Sequence, residues 1–164
     1  VKETVRTILW QLRPGLLLDL GLKNALENLF ASLKSRHPEV TLKLDVTEHP
    51  LKPQIQIALL AIVREAVNNA LKHGRPSHIE VVIKVQGETV ECAVRNDGER
   101  LADAGVSAGS LGVVSMRERA RLAGGTLDIT DTAIGRGVEV KLSLPLNGPG
   151  AIPVDPAAST RRLQ

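Results

Sequence analysis

The chain has 164 residues, enough for about one domain with some extra. Hydrophobic residues make up 43% and charged residues 24%, the balance of a soluble globular protein, and the net charge is only +3 with a pI near 9.3. The positive excess is spread thinly, part of it on Arg161 and Arg162, and Trp10 and Phe30 are the only aromatic residues, so neither a basic nucleic-acid arm nor an aromatic base-stacking platform is expected.

The core must therefore be aliphatic. Cys92 is alone inside an apolar alternation, which rules out a disulfide framework and fits the reducing cytosol. No apolar run is long enough to span a bilayer, and the first residues do not read as a signal peptide. The chain opens at Val1 without Met, in the middle of a helical pattern, as a fragment of something longer would.

Val1, Val5, Ile8, Leu9 and Leu12 form a short apolar stripe, with Lys2, Glu3 and Arg6 outside it. This reads as the end of a helix, broken at Pro14-Gly15. Asp19 can cap a second helix, in which Leu22, Ala25, Leu26, Leu29, Phe30 and Leu33 keep helical spacing up to His37-Pro38. Val40, Leu42, Leu44 and Val46 then alternate with polar residues, the pattern of a half-buried strand.

The next helix organises the chain. Ile55, Ala58, Leu59, Ile62, Val63, Ala66, Val67, Ala70 and Leu71 make one apolar stripe, ended by Gly74-Arg75-Pro76. On its other face Glu65, Asn69 and Lys72 or His73 stand one turn apart, so their side chains project together. A carboxylate, a carboxamide oxygen and a cation in a row suit a metal-bound polyphosphate, because Mg²⁺ takes hard oxygen ligands and few protein groups. The carboxylate can also accept a proton. The plainer reading is a wet helix face, but two adjacent asparagines, Asn68 and Asn69, weaken a helix and point to a role. His73 reads equally well as a complement to the helix dipole.

Ile79, Val81, Ile83 and Val85, a turn at Gln86-Gly87, and Val90, Cys92 and Val94 give an antiparallel hairpin. Arg95-Asn96-Asp97-Gly98 leaves the sheet, and Glu99 to Ser110 is a small-residue stretch that reads as a mobile loop. A helical pattern resumes from Leu111 to Ala123, with Met116 in its core face, and Gly124-Gly125 closes it. Leu127 and Ile129, then Val138, Val140, Leu142 and Leu144, give a last hairpin turned near Gly135-Arg136-Gly137. From Asn147 the Pro-, Ala- and Gly-rich composition is that of a disordered tail. This order makes an α+β two-layer sandwich, with a mixed, mostly antiparallel sheet covered on one face by helices.

Three motifs occur in one order: Leu12-Arg13-Pro14 with Asp19-Leu20-Gly21-Leu22; Arg64-Glu65-Ala66-Val67-Asn68-Asn69-Ala70-Leu71-Lys72-His73; and Gly112-Val113-Val114-Ser115-Met116-Arg117-Glu118-Arg119-Ala120 running into Gly124-Gly125. In these the chain resembles the ATP-binding (HATPase/GHKL) domain of bacterial sensor histidine kinases of the NarX, DesK and UhpB type, over roughly residues 1–146. The resemblance implies a Bergerat-type fold, with residues 1–14 as the end of the dimerisation helix, 15–146 as the ATP-binding domain and 147–164 as the tail. It implies Asn69 as the Mg²⁺ ligand, Glu65 as the catalytic carboxylate, and Lys72 and His73 near the phosphates. Asn96 and Gly98 would meet the adenine, residues 99–111 would form a lid, and Gly112 and Val113 would receive phosphates at a helix N-terminus.

The same resemblance implies a kinase that passes the ATP γ-phosphoryl to a histidine on a dimerising helical hairpin, then to a response regulator with a helix-turn-helix output domain. None of His37, His49, His73 and His78 sits in the motif of that phosphoacceptor, so the hairpin is missing from this chain. The fragment would contact neither nucleic acid nor membrane. It would be cytoplasmic, with the full-length protein anchored in the bacterial inner membrane in some members. Three positions depart from the pattern. Asn96 replaces the adenine-reading Asp, Arg100 stands at the second glycine of its box, and Ser110 stands where the next glycine box opens. Asp97 would take over from Asn96 only with a one-residue shift. These departures motivate one alternative, a degenerate module of the same fold with weak or no ATP binding, acting in regulation; a further reading, an anti-sigma kinase with the same fold, is opposed by the Leu-Arg-Pro segment and the short preceding helix.

Overall fold

The computed structural model describes residues 21–101, 103, 109–132 and 136–149. The expectations for residues 1–14 and Asp19, for 102 and 104–108 of the 99–111 loop and for the tail after Pro149 lie outside them. The elements are α1 (Leu22–Arg36), β1 (Thr41–Val46), α2 (Pro53–Asn69), a π-helical turn (Ala70–Gly74), β2 (His78–Gln86), β3 (Thr89–Asn96), α3 (Leu111–Leu122), β4 (Thr126–Asp131) and β5 (Val138–Pro145).

Five strands form one sheet in the order β1-β2-β3-β5-β4. β1 pairs parallel with β2, and every other pair is antiparallel. The inward rows are the ones the alternation marks: Ile79, Val81 and Ile83 on β2, Val90, Cys92 and Val94 on β3, and Val140, Leu142 and Leu144 on β5 are all buried. α2 is the central helix, packed against α1, α3 and β3. Its Ile55, Leu59, Ile62, Val63 and Val67 have no exposed surface. Pro53 opens it at a position where its missing N–H is not needed. The helices thus cover one face of a mixed sheet, as an α+β sandwich requires.

The other face carries charge in register. Lys43 on β1, Glu80 on β2, Arg95 on β3 and Glu139 on β5 sit opposite one another in successive pairs. Lys43 to Glu80 is 3.4 Å, Glu80 to Arg95 is 3.8 Å, and Arg95 bonds Glu139 directly. Burial pushes the Glu139 carboxyl up, but hydrogen bonds from Arg95 and Lys141 outweigh it and hold the group below its ordinary value. Such a ladder keeps this face wet and fixes strand register more than it adds stability.

The buried thiol of Cys92 is pushed up to about 12, first by burial and then by neighbouring Glu91. A thiolate is the reactive form, so Cys92 should stay unalkylated at neutral pH in the native state and react once the chain is unfolded. Mass spectrometry after maleimide treatment with and without denaturant reads this directly.

The sequence places Asn147 in the tail, yet Asn147 to Pro149 touch the fold. The Asn147 carbonyl accepts a hydrogen bond from Lys52 at 2.9 Å, and Gly148 and Pro149 lie against Gln54 and Gly124.

Candidate functional site

α2 stays α-helical only to Asn69, and the last turn widens into the π form. Wide turns of this kind are rare and recur at functional sites. After it, Ala70, His73 and Gly74 face a cleft, while Lys72 is exposed to solvent and does not line it. Of the two cations the helical spacing leaves open, the structure therefore brings His73 to the site. Arg75, in the left-handed conformation at φ 47°, turns the chain into β2.

The cleft lies between the end of α2, the start of α3 and the edges of β3, β5 and β4. It is a partly open cleft of about 490 Å³ counted together with its mouth. Its walls divide by chemistry. Asn69 and His73 supply polar groups at one side. Val94, Val138, Val140, Ile129 and Met116 contribute apolar walls, and Asn96 also lines the cleft. Val113, from the first turn of α3, also lines it. Glu99 and Leu101 also line it, and the Leu101 N–H donates to Asp131 Oδ1 at 2.9 Å.

Glu65, Asn69 and Gly112 meet. A Cβ on Gly112 would sit 2.3 Å from Glu65 Oε1 and 3.4 Å from Asn69 Nδ2. The first turn of α3 thus rests on these two side chains, which puts the Glu65 carboxylate near a helix N-terminus that favours negative charge. Asn69 also lines the cleft, where its carboxamide oxygen is a hard donor. Ser110 is the N-cap of α3 but makes no side-chain capping bond, and Arg100 is exposed.

Asn96 and Asp97 part company at the end of β3. Asn96 lines the cleft, its oxygen accepting from the Gly98 N–H at 2.9 Å. Asp97 turns to the start of β2. It accepts from the Ser77 and His78 N–H groups, each at 2.8 Å, and meets His78 Nδ1 at 3.0 Å. Burial raises the Asp97 carboxyl, but the His78 and Ser77 hydrogen bonds outweigh it and hold the group below its ordinary value. A depressed carboxyl stabilises the fold above its unfolded pKa and loses that contribution as pH falls through the folded value. Stability should therefore decline on acidification below about pH 4. Asp97→Ala should cost about 1–2 kcal/mol at neutral pH and flatten that decline, as urea melts across pH would read.

Two glycines allow the chain to close here. A Cβ on Gly98 would sit 2.2 Å from the Gly74 carbonyl oxygen, which accepts the Glu99 N–H at 2.7 Å. Gly137, at φ 104°, would put a Cβ 1.8 Å from the Asn96 carbonyl oxygen. The sequence marks Gly137 only as a hairpin turn. Its place behind Asn96, and the apolar walls themselves, depend on β3 pairing with β5, a contact between distant residues.

With this geometry in view, the relatives are informative. Residues 54–148, more than half the chain, match the family described as histidine kinase-, DNA gyrase B- and HSP90-like ATPases. An uncharacterised sensor-like histidine kinase of Chloroflexus aurantiacus is 32% identical over 151 residues, 87% of this chain and 25% of that protein. The signal transduction histidine-protein kinase/phosphatase UhpB of Salmonella typhimurium is 31% identical over 147 residues, 88% of this chain and 29% of that protein. The chain thus spans a quarter to a third of the length of these curated relatives. The solved histidine kinase domain of a blue-light activated histidine kinase of Erythrobacter litoralis superposes with a TM-score of 0.67 at 18% identity, over 77% of this chain and 61% of that one, which shows a shared fold. A sandwich whose central helix delivers an asparagine and a histidine to a half-apolar cleft, in a sequence matching this family over residues 54–148, admits one assignment: the chain belongs to the histidine kinase-, DNA gyrase B- and HSP90-like ATPases.

Proposed function

We propose that this chain is the catalytic, ATP-binding domain of a two-component sensor histidine kinase. The observation that carries the reading is the cleft itself, which Asn69, His73 and Asn96 line together with an apolar set of Val94, Val138, Val140, Ile129 and Met116. A triphosphate and a flat base need these two environments side by side. The purine ring packs between the valines and Met116, with Asn96 and Gly98 at its edge. His73 sits beside the phosphates. Gly112 and Val113 present the N-terminal turn of α3 to them. Lys72 reaches phosphates only by swinging in from solvent.

Mg²⁺ fits the donors present, since the Asn69 carboxamide lines the cleft and offers a hard oxygen, and phosphate oxygens and water complete such a shell. When bound, the ion neutralises phosphate charge during transfer. The chain's own work is to hold the phosphates in line and, through Glu65, to accept or orient a proton at the attacking group. The acceptor is a histidine on a helical hairpin of the full protein, through which two copies dimerise, and the phosphoryl passes on to a response regulator. The family resemblance supports a regulator of the helix-turn-helix output type and a cytoplasmic domain of a membrane-anchored protein. No helix among the described residues is long and apolar enough to cross a membrane.

The test is displacement of a fluorescent ATP analogue by unlabelled ATP. Saturable, competed binding in the micromolar to low millimolar range is expected. No saturation at millimolar nucleotide contradicts the kinase reading. It then favours the regulatory module, for which the three departures Asn96, Arg100 and Ser110 are the motive.

A further inference from the structure

β4 is an edge strand of the sheet, and its inward row ends on a charge. Successive side chains of a strand point to opposite faces, so Leu127, Ile129 and Asp131 share one. Leu127 is buried in the core and Ile129 lines the cleft. Asp131, the last residue of the strand, puts a carboxylate at the end of this apolar row.

The carboxylate reaches another part of the chain. Its Oδ1 accepts the Leu101 N–H at 2.9 Å, across 30 residues of sequence. Leu101 and Glu99 both line the cleft, and they are held by bonds of different kinds. Glu99 is tied by its backbone, whose N–H donates to the Gly74 carbonyl at 2.7 Å. Leu101 is tied by the Asp131 side chain, which a substitution can remove. Asp131 itself is well fixed. It stands opposite Val138 of β5, another cleft residue. Thr132 beyond it is bonded to the returning chain, its N–H to the Gly137 carbonyl at 3.1 Å and its hydroxyl to the Arg136 carbonyl.

We propose that Asp131 is a positioning residue of the cleft: its carboxylate holds Leu101, and with it the chain leaving β3, in the arrangement that receives the ligand. The inference rests on the nucleotide-binding reading above and adds to it a residue that does not itself line the cleft. The bond is exposed, so its loss frees the strand exit locally without unfolding the sheet. A ligand then binds only the fraction of molecules in which Leu101 is in place, and its apparent affinity falls by that fraction.

The experiment compares Asp131→Ala with Asp131→Asn. Both remove the charge, but the Asn carboxamide keeps an acceptor for the Leu101 N–H. Titration with a fluorescent ATP analogue is expected to give a dissociation constant about threefold to tenfold higher than wild type in Asp131→Ala, and within about twofold of it in Asp131→Asn. Amide hydrogen exchange of the nucleotide-free chain reads the tether itself. The Leu101 amide should exchange faster in Asp131→Ala and at the wild-type rate in Asp131→Asn, with the core strands unchanged in both. Wild-type affinity or wild-type exchange in Asp131→Ala overturns the inference while leaving nucleotide binding intact. So does an equal loss of affinity in both variants, which assigns the effect to charge. A wild type that binds no nucleotide removes the nucleotide reading, and the positioning role with it.

Discussion

Gly98→Ala should disable the site and weaken the fold together. The new methyl group would stand 2.2 Å from the Gly74 oxygen and 2.7 Å from its carbonyl carbon, both backbone atoms that no rotamer change can move. Relief requires the exit of β3 to part from the end of the π turn. That costs the Glu99 to Gly74 hydrogen bond and disturbs the turn closed by Asn96 Oδ1 on the Gly98 N–H. Overpacking of this kind costs roughly 2–3 kcal/mol, and the displaced Asn96 no longer lines the cleft. Chemical denaturation should show the loss of stability, and nucleotide affinity should fall by about tenfold or more. A variant with wild-type stability and affinity would mean that the strand exit and the π turn are not in contact.

Leu59→Ala should be among the most damaging of the simple core truncations. Leu59 has no exposed surface and lies midway along α2, the helix whose far end carries Asn69 and His73. Removing three carbons there leaves a cavity between the central helix and its surroundings and costs about 2–5 kcal/mol. That is a large share of the stability of a domain this size. Leu122→Ala is the control, because Leu122 is 63% exposed on α3 and its truncation should change stability by less than about 0.5 kcal/mol. Thermal melts of the pair separate the two cases.

The elements were legible in the sequence because each obeys one period. α2 shows the three- and four-residue steps, and β2, β3 and β5 show strict alternation, so their buried faces follow from the pattern. The π turn was not legible, since nothing in Ala70-Leu71-Lys72-His73-Gly74 distinguishes a wide turn from an α-helical one. That is why helical spacing left Lys72 and His73 level, and why only coordinates separate them. Asn96 and Asp97 posed a similar choice. Strand alternation puts neighbours on opposite sides, and the Asp97 bonds to Ser77 and His78 show which residue faces out. The walls Val138, Val140 and Ile129 come from strands read correctly as a hairpin. Their place opposite Val94 is a long-range pairing that no local pattern encodes.

The central claim is that Asn69 and the cleft beside it bind a metal-bound nucleotide. Isothermal titration of the chain with a non-hydrolysable ATP analogue, with and without Mg²⁺ and beside Asn69→Ala, tests it most directly. Binding should strengthen with Mg²⁺ in the wild type and lose about tenfold or more, together with its Mg²⁺ dependence, in the variant. No heat at millimolar nucleotide, or binding that ignores both Mg²⁺ and the substitution, would contradict it.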